Sequence, residues 1–173
     1  MRNFIVILTT LLIIGYSGIL DATSAMPPTI EDLVHASDEI VNAEVKKIKS
    51  RFESVQDDDV KATLGGKDQI IVSEITLNIL KSYKGNAQEQ ITVKQPGGCV
   101  LDKCLTISLY PNFRAGETAI FFLTHDGTSD LHILMGEYGI LKIDNSGTVI
   151  RLGVSQKTLE DHLEDVRKMT QGL

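Results

Sequence analysis

The segment Ile71-Val-Ser-Glu-Ile-Thr-Leu-Asn-Ile-Leu80 alternates along its length, and it decides the fold class. Alternation with a period of two puts every second side chain on the same face, which is typical of a strand with one buried face. The run extends over about 12 residues, compared with the usual length of about 5–6. We therefore expect this strand to bend and to serve two parts of one sheet.

Other segments show the strand pattern on both sides of this run. The alternation of Val41–Val45 changes phase after Lys46-Lys47, which indicates a β-bulge. Ile120-Phe-Phe-Leu123 is apolar on both faces and is therefore expected in the centre of the sheet. Shorter runs between turn signals predict further strands at residues 91–93, 105–109, 131–135, 139–143 and 148–152. No helices alternate with these strands, so the sequence predicts a mainly β, antiparallel barrel or sandwich.

Helical signals mark both ends of the folded part. Thr29-Ile-Glu-Asp32 has the form of a capping box and predicts a short helix that ends near Ala36. Apolar residues recur at helical spacing after Thr158: Leu159, Leu163 and Val166. We interpret Thr158 as the N-cap of this second helix. We therefore expect a β domain at residues 26–155 and an amphipathic helix, packed on that domain, at residues 156–173.

The composition is that of an ordinary globular protein. The 173 residues are 42% hydrophobic and 23% charged, which is too apolar and too weakly charged for a disordered chain. The formal net charge is −6, and the sequence has no block of clustered Lys and Arg. We expect no nucleic acid as a partner, because binding to phosphates needs such clusters.

The first 25 residues have the parts of a secretory signal peptide. Arg2 precedes the uncharged run Phe4–Leu20, and small residues follow at Thr23 and Ala25. We expect cleavage near Ala25 and a secreted product, periplasmic or extracellular. The alternative is an uncleaved anchor, because a run of 17 uncharged residues lies at the lower limit for crossing a bilayer, about 17–25. A membrane is expected as a partner only through that retained segment.

Cys99 and Cys104 are the two cysteines of the chain. Outside the reducing cytosol, cysteines this close together are expected to form one local disulfide, which would clip a hairpin or a bulge. Free thiols and a redox or metal role are the alternatives. A redox role is typical of the tighter Cys-x-x-Cys spacing at a helix N-terminus, which this segment lacks.

Glu53–Gln69 is polar and is expected to be an exposed loop. Its carboxylates could bind a calcium ion weakly, although they lack the EF-hand pattern, and a solvated charge run is the plainer interpretation: Asp57, Asp58 and Asp59. The same loop, together with Gly97–Cys104, is the predicted partner-binding region. Its charged candidates are Asp57, Asp58, Asp59, Lys61 and Lys67.

The histidines offer the only other chemistry. His125 and His132 flank a predicted hairpin loop and could face each other across it, which makes them the best candidate pair for a metal, although a surface or strand-edge role is the plainer interpretation. His35 and His162 lie in the predicted helices. The sequence has no His-Glu-x-x-His and no Gly-x-Ser-x-Gly motif, so we expect neither an enzyme nor a bound cofactor.

Four segments in order resemble a secreted domain of bacteria and archaea that has no assigned activity: Ser37–Val45, Ile75–Gly85, Ile91–Gly98 and Phe113–Leu123. More distantly, they resemble the netrin-like domain of the tissue inhibitors of metalloproteinases. That resemblance covers roughly residues 33–152 and implies an OB-like barrel of five strands. The inhibitors ligate zinc through a mature N-terminal Cys. Here the expected mature chain begins Met26-Pro27-Pro28, so no residue inherits that role.

These observations lead to three hypotheses of different classes. The first is an exported, non-catalytic β-barrel module that binds an envelope or extracellular protein or polymer. The second is a secreted protease inhibitor that acts without N-terminal zinc chelation. The third is a metal-binding protein or enzyme that uses His125 and His132.

Overall fold

The structure is a computed structural model, and it describes residues 27–56, 67–125, 127, 130–144, 146–150 and 154–171. The predicted signal segment lies outside these residues. So do four candidate residues of the polar loop: Asp57, Asp58, Asp59 and Lys61. Within the described ranges, no helix is both long and apolar enough to cross a membrane.

The protein is mainly β, with one helix before the strands and one after them. The helices are α1 (Ile30–Ala36) and α2 (Gln156–Gln171), and a 3₁₀ helix spans Gly136–Gly139. The strands are β1 (Glu39–Ser54), β2 (Gln69–Lys84), β3 (Gln90–Pro96), β4 (Gly98–Val100), β5 (Lys103–Leu105), β6 (Thr118–His125), β7 (Leu131–Ile133), β8 (Ile140–Lys142), β9 (Thr148–Val149) and β10 (Val154–Ser155).

Five strands pair in a closed ring. β1, β2 and β3 are antiparallel neighbours, β3 pairs in parallel with β7, β7 pairs with β6, and β6 returns to β1. The sheet is therefore mixed rather than purely antiparallel. β8 lies on β6 as a sixth strand. The ring closes at β1, because the first residues of this strand pair with β2 on one edge and with β6 on the other.

The sequence located the long strands correctly. The register of β1 on β2 shifts between Val45 and Lys47, which confirms the predicted bulge. One predicted strand is wrong, because residues 106–117 form turns and irregular structure. The alternation of Ile107 and Leu109 faces no buried layer: Leu109 is exposed, and the N–H of Tyr110 donates to Ile107 in a turn. Alternation predicts a strand only where a neighbouring strand is available for pairing.

β6 separates two apolar clusters, as its two-sided pattern predicted. Ala119, Phe121 and Leu123 point into the ring and join side chains from every ring strand. Ile120 and Phe122 point outward to the second cluster, which contains residues of both helices. Successive side chains of a strand face opposite sides, so one strand contributes to both layers.

The two helices cover the outer face of β6. α1 begins with the predicted capping box, in which Thr29 and Asp32 bond each other's backbone N–H. α2 begins at Gln156, so Thr158 lies inside its first turn and the prediction of an N-cap there is wrong. The buried residues of this layer include Leu33, Val34, Leu159 and Leu163.

The side chain of Glu160 fastens α2 to the end of β2. The hydroxyl of Tyr83 donates to it at 2.6 Å, and Lys81 Nζ lies 3.0 Å from its other oxygen. Burial raises the pKa of Tyr83, and the hydrogen bond to the carboxylate of Glu160 raises it further. The phenol therefore stays protonated and acts as the donor of this bond.

Candidate functional site

The last part of β1 (residues 48–54) and the first part of β2 (residues 69–75) pair as an antiparallel segment that we call the ribbon, and residues 72–75 also pair with β3 on their other edge. On its inner face, Ile48, Ser50 and Phe52 lie directly opposite Ile75, Ser73 and Ile71. Opposite residues of an antiparallel pair share a face, and Ile75 belongs to the cluster inside the ring. The ribbon therefore continues the inner face of the ring, but the apolar side chains that β1 contributes are only partly covered: Ile48 is 36% exposed and Phe52 39%.

The segment after β3 forms a small hairpin, β4–β5, called the disulfide hairpin (Gly98–Leu105). Cys99 and Cys104 are opposite each other in its register and are joined by a disulfide with an S–S distance of 2.04 Å. The predicted local disulfide is confirmed. Such a bridge is typical of proteins in oxidising compartments, and it is compatible with the predicted export.

The base of the disulfide hairpin is bonded to the inner face of the ribbon. The N–H of Gly97 donates to the carbonyl of Ile71 at 2.8 Å, and the hydroxyl of Ser73 donates to the carbonyl of Gly97 at 2.7 Å. Ser50 and Ser73 share a further hydrogen bond of 2.9 Å. At Gly98, a Cβ atom would collide with both serine hydroxyls, so the close approach of the two segments requires glycine at this position.

The ribbon and the disulfide hairpin enclose an open groove of about 1010 Å³, which we call the hairpin groove. Its lining includes Phe52, Lys67, Asp68, Asp102, Lys103 and Leu105. The ammonium of Lys103 lies 6.0 Å from the centroid of the Phe52 ring, within the range of a cation–π contact. The groove therefore combines an apolar floor with two cationic and two anionic side chains.

The hairpin groove brings together the two segments predicted to bind a partner. Lys67 and the neighbouring residues of the polar loop form one wall, and the disulfide hairpin forms the other. Sequence reasoning did not identify Phe52 as part of the groove lining, or Ser50 and Ser73 as the residues that support the base of the disulfide hairpin. A usable signal was present, since Ser50 and Ser73 are small polar residues in the inward phase of otherwise apolar alternations.

The outer face of the ribbon carries ion pairs. Arg51 Nε lies 3.1 Å from Glu74, and its Nη2 lies 2.5 Å from Glu53. The hydrogen bond to Glu74 raises the pKa of Arg51, which is charged in any case. On β3, Lys94 pairs with Asp130, and that hydrogen bond raises the pKa of Lys94. Exposed pairs of this kind contribute little to stability, and they balance the charges of the outer face.

The expectation that His125 and His132 face each other is wrong. In the register of β6 on β7, His125 is opposite Leu131 and His132 is opposite Thr124. The two imidazoles therefore lie on opposite faces of the sheet. This outcome depends on the register of the two strands, which the spacing of the histidines in the sequence does not reveal. Among the described residues, no group of three or more His, Cys, Asp or Glu side chains is placed to hold a metal ion.

The other histidines lie at the helices. His162 Nε2 in α2 is 3.1 Å from Glu31 in α1, an exposed contact that links the two helices. His35 lines a second groove, of about 960 Å³, between α1 and the loops around Leu109 and Met135. That groove contains none of the residues predicted to bind a partner.

Comparison with known proteins gives no family for this chain. No protein-family model matches the sequence, and no curated protein matches it at a significant level. Fold and side-chain chemistry are therefore the basis for a function.

Proposed function

We propose that this chain is an exported, non-catalytic β-barrel module of the OB-like type, which binds an envelope or extracellular protein or polymer at the hairpin groove. The observation that carries the proposal is the meeting of the ribbon and the disulfide hairpin around one groove. Two segments that are separate in the sequence thereby form a single surface with apolar and charged groups side by side.

The strand order supports the OB-like assignment. Five strands close a ring around one apolar cluster, and a sixth strand and two helices lie outside it. An OB-fold is a five-stranded Greek-key barrel that binds ligands with the face of strands 2 and 3 and with adjacent loops. Here the loop between β1 and β2 is the one whose described end, at Lys67, lines the groove.

The chemistry of the groove favours binding over catalysis. It offers lysines, aspartates and a phenyl ring, and the described part of the chain places no three metal-ligating side chains together. No specific contact in the described residues favours the protease-inhibitor hypothesis over a general binding role.

A pull-down with matched variants tests the proposal. The bait is the chain after signal-peptide cleavage, purified from the cells that produce it. It is incubated with the solubilised envelope and the culture supernatant of the same cells. The groove variant combines Phe52→Ser with Lys103→Glu. The control is Leu109→Ser, which changes a residue of the second groove that is 55% exposed. Circular dichroism verifies that all three proteins are folded.

We expect wild type and the control to enrich the same protein or glycan. The enrichment by the groove variant should be at least about tenfold lower than that by wild type, which is the effect expected for a central interface residue. Equal enrichment by the groove variant would remove the groove from the proposal. If wild type enriches nothing above empty resin, the binding role itself is wrong.

A further inference from the structure

Leu101 stands at the tip of the disulfide hairpin with its side chain in solvent. The residue is 95% exposed, the largest exposed fraction among the large apolar residues that the structure describes as exposed. Its φ is +56°, in the left-handed region of backbone conformation. The left-handed φ is unusual for leucine, and here it occurs at a residue whose side chain is almost wholly exposed.

The folded chain gains nothing visible from leucine at this position. Left-handed residues of two-residue hairpin turns are commonly Gly, Asn or Asp, because a larger L side chain crowds its own backbone there. An exposed leucine also receives no compensating burial. Backbone strain without a packing benefit is a pattern found at binding and catalytic sites.

The tip is held in place from below. The disulfide joins the strands directly under the turn, and the hydrogen bonds of Gly97 with Ile71 and Ser73 tie the base of the hairpin to the ribbon. The backbone of such a fixed turn loses little conformational entropy when the side chain binds.

We propose that Leu101 is an aliphatic anchor that inserts into an apolar socket of a folded protein partner, while the charged residues of the hairpin groove contact the polar rim of that socket. This inference rests on the proposed binding function and names the class of partner. Interfaces commonly have this anatomy, with one buried apolar anchor surrounded by polar contacts.

The surroundings of the anchor favour a protein over a bilayer or a polysaccharide. Asp102 and Lys103 follow directly, and Lys67 and Asp68 lie across the groove, so the patch carries both signs of charge. Binding to an anionic bilayer is typical of several apolar side chains with a cationic excess. A protein surface can match charges of both signs around one socket.

The test uses Leu101→Asn, because asparagine tolerates the left-handed conformation and removes the aliphatic side chain. Its matched control is Leu80→Asn, at another exposed leucine, 54% exposed in β2. Each soluble variant competes with immobilised wild type for the protein captured from the solubilised envelope and supernatant. We expect Leu101→Asn to need at least about ten times more competitor than wild type, and the control to compete as wild type does.

Thermal unfolding of the same variants separates binding from folding. We expect Leu101→Asn to melt at the same temperature as wild type or higher, because the strain is relieved while binding weakens. A residue with a merely structural role would lower the melting temperature and the binding together. A photo-reactive amino acid at position 101, with position 80 as control, should crosslink to the captured protein only from position 101.

Three results would overturn the anchor. The first is competition by Leu101→Asn at the wild-type concentration; if the groove variant then fails to capture, the proposed function stands without the anchor. The second is co-sedimentation of wild type, but not of Leu101→Asn, with vesicles of neutral and anionic phospholipid, which would assign Leu101 to a bilayer. The third is capture of nothing by wild type, which rejects the binding function and the anchor with it.

Discussion

Asp38 lies between α1 and β1, where its carboxylate accepts hydrogen bonds from the backbone N–H of His125 at 2.9 Å and from the hydroxyl of Thr124 at 3.0 Å. Its own N–H donates to the carbonyl of Leu123. One residue thereby ties the start of β1 to the end of β6, at the place where the ring closes. The hydrogen bond from the backbone N–H of His125 is the largest cause that holds the pKa of Asp38 below its ordinary value, and the hydrogen bond from Thr124 is the second.

The lowered pKa predicts acid sensitivity. Because the folded state binds the proton less readily than the unfolded chain, the contribution of Asp38 is complete above the ordinary pKa of 3.8 and is lost as the pH falls through the lower folded value. We expect the free energy of unfolding to decrease below about pH 4. Denaturant titrations of wild type and Asp38→Asn measure this, and the variant should show a shallower decrease. Identical slopes would contradict the role assigned to Asp38.

At the scale of the element, the disulfide hairpin is small but is attached twice. The bridge closes a loop between Cys99 and Cys104, five residues apart, and the hydrogen bonds of Gly97 hold the hairpin to the ribbon independently. Loss of one attachment therefore leaves the other in place. β4 and β5 form a sheet of their own, and the ring strands pair with one another and not with them.

Replacing both cysteines, Cys99→Ser with Cys104→Ser, is expected to lower the free energy of unfolding by about 2 kcal/mol, the loop-entropy value for so short a loop. Denaturant unfolding measures the change, and far-ultraviolet circular dichroism should stay that of a mainly β protein. Collapse of the β signal in the double variant would contradict the independence of the ring. Reduced wild type serves as the comparison without any substitution.

The elements show which parts of the structure the sequence could predict. Period-two patterns located β1, β2 and β3 because each has a buried face that selects apolar residues at alternate positions, whereas β6 is buried on both faces and was located by its continuous apolar run. In the run at 105–109, only Leu105 lies in a paired strand; residues 106–109 continue the pattern without a strand beside them, so alternation is misleading there. The positions of His125 and His132 depend on strand register, and the groove depends on where the disulfide hairpin folds back. Both are long-range properties that no local pattern contains.

At the scale of the whole molecule, β6 joins two cores into one structure. Phe121 is fully buried inside the ring, and Phe122 is fully buried under the helices. Neither layer can separate from the other without exposing one face of this strand. We therefore expect the ring and its helical layer to unfold together.

Two single substitutions test this cooperativity. Phe121→Ala and Phe122→Ala each remove a large buried side chain, and each is expected to destabilise the protein by about 3–5 kcal/mol. Because the layers share β6, each variant should unfold in a single transition with a lower midpoint denaturant concentration than wild type. Fluorescence and circular dichroism should give the same midpoint for each variant. Two separate transitions, with each variant moving only one, would show that the layers are independent units.

The closure of the ring also has a kinetic consequence. Glu39 pairs with Leu123 across about eighty residues of chain, whereas the long β1–β2 hairpin and the disulfide hairpin join near neighbours. Loop entropy disfavours distant contacts until nearer ones have shortened the path between them, and high contact order slows folding. The slowest step of folding is therefore the pairing of β6 with β1, and until it occurs the first half of β1 is paired on one edge only. During that interval β1 presents an open edge to any strand it meets, and only the arrival of β6 removes that edge.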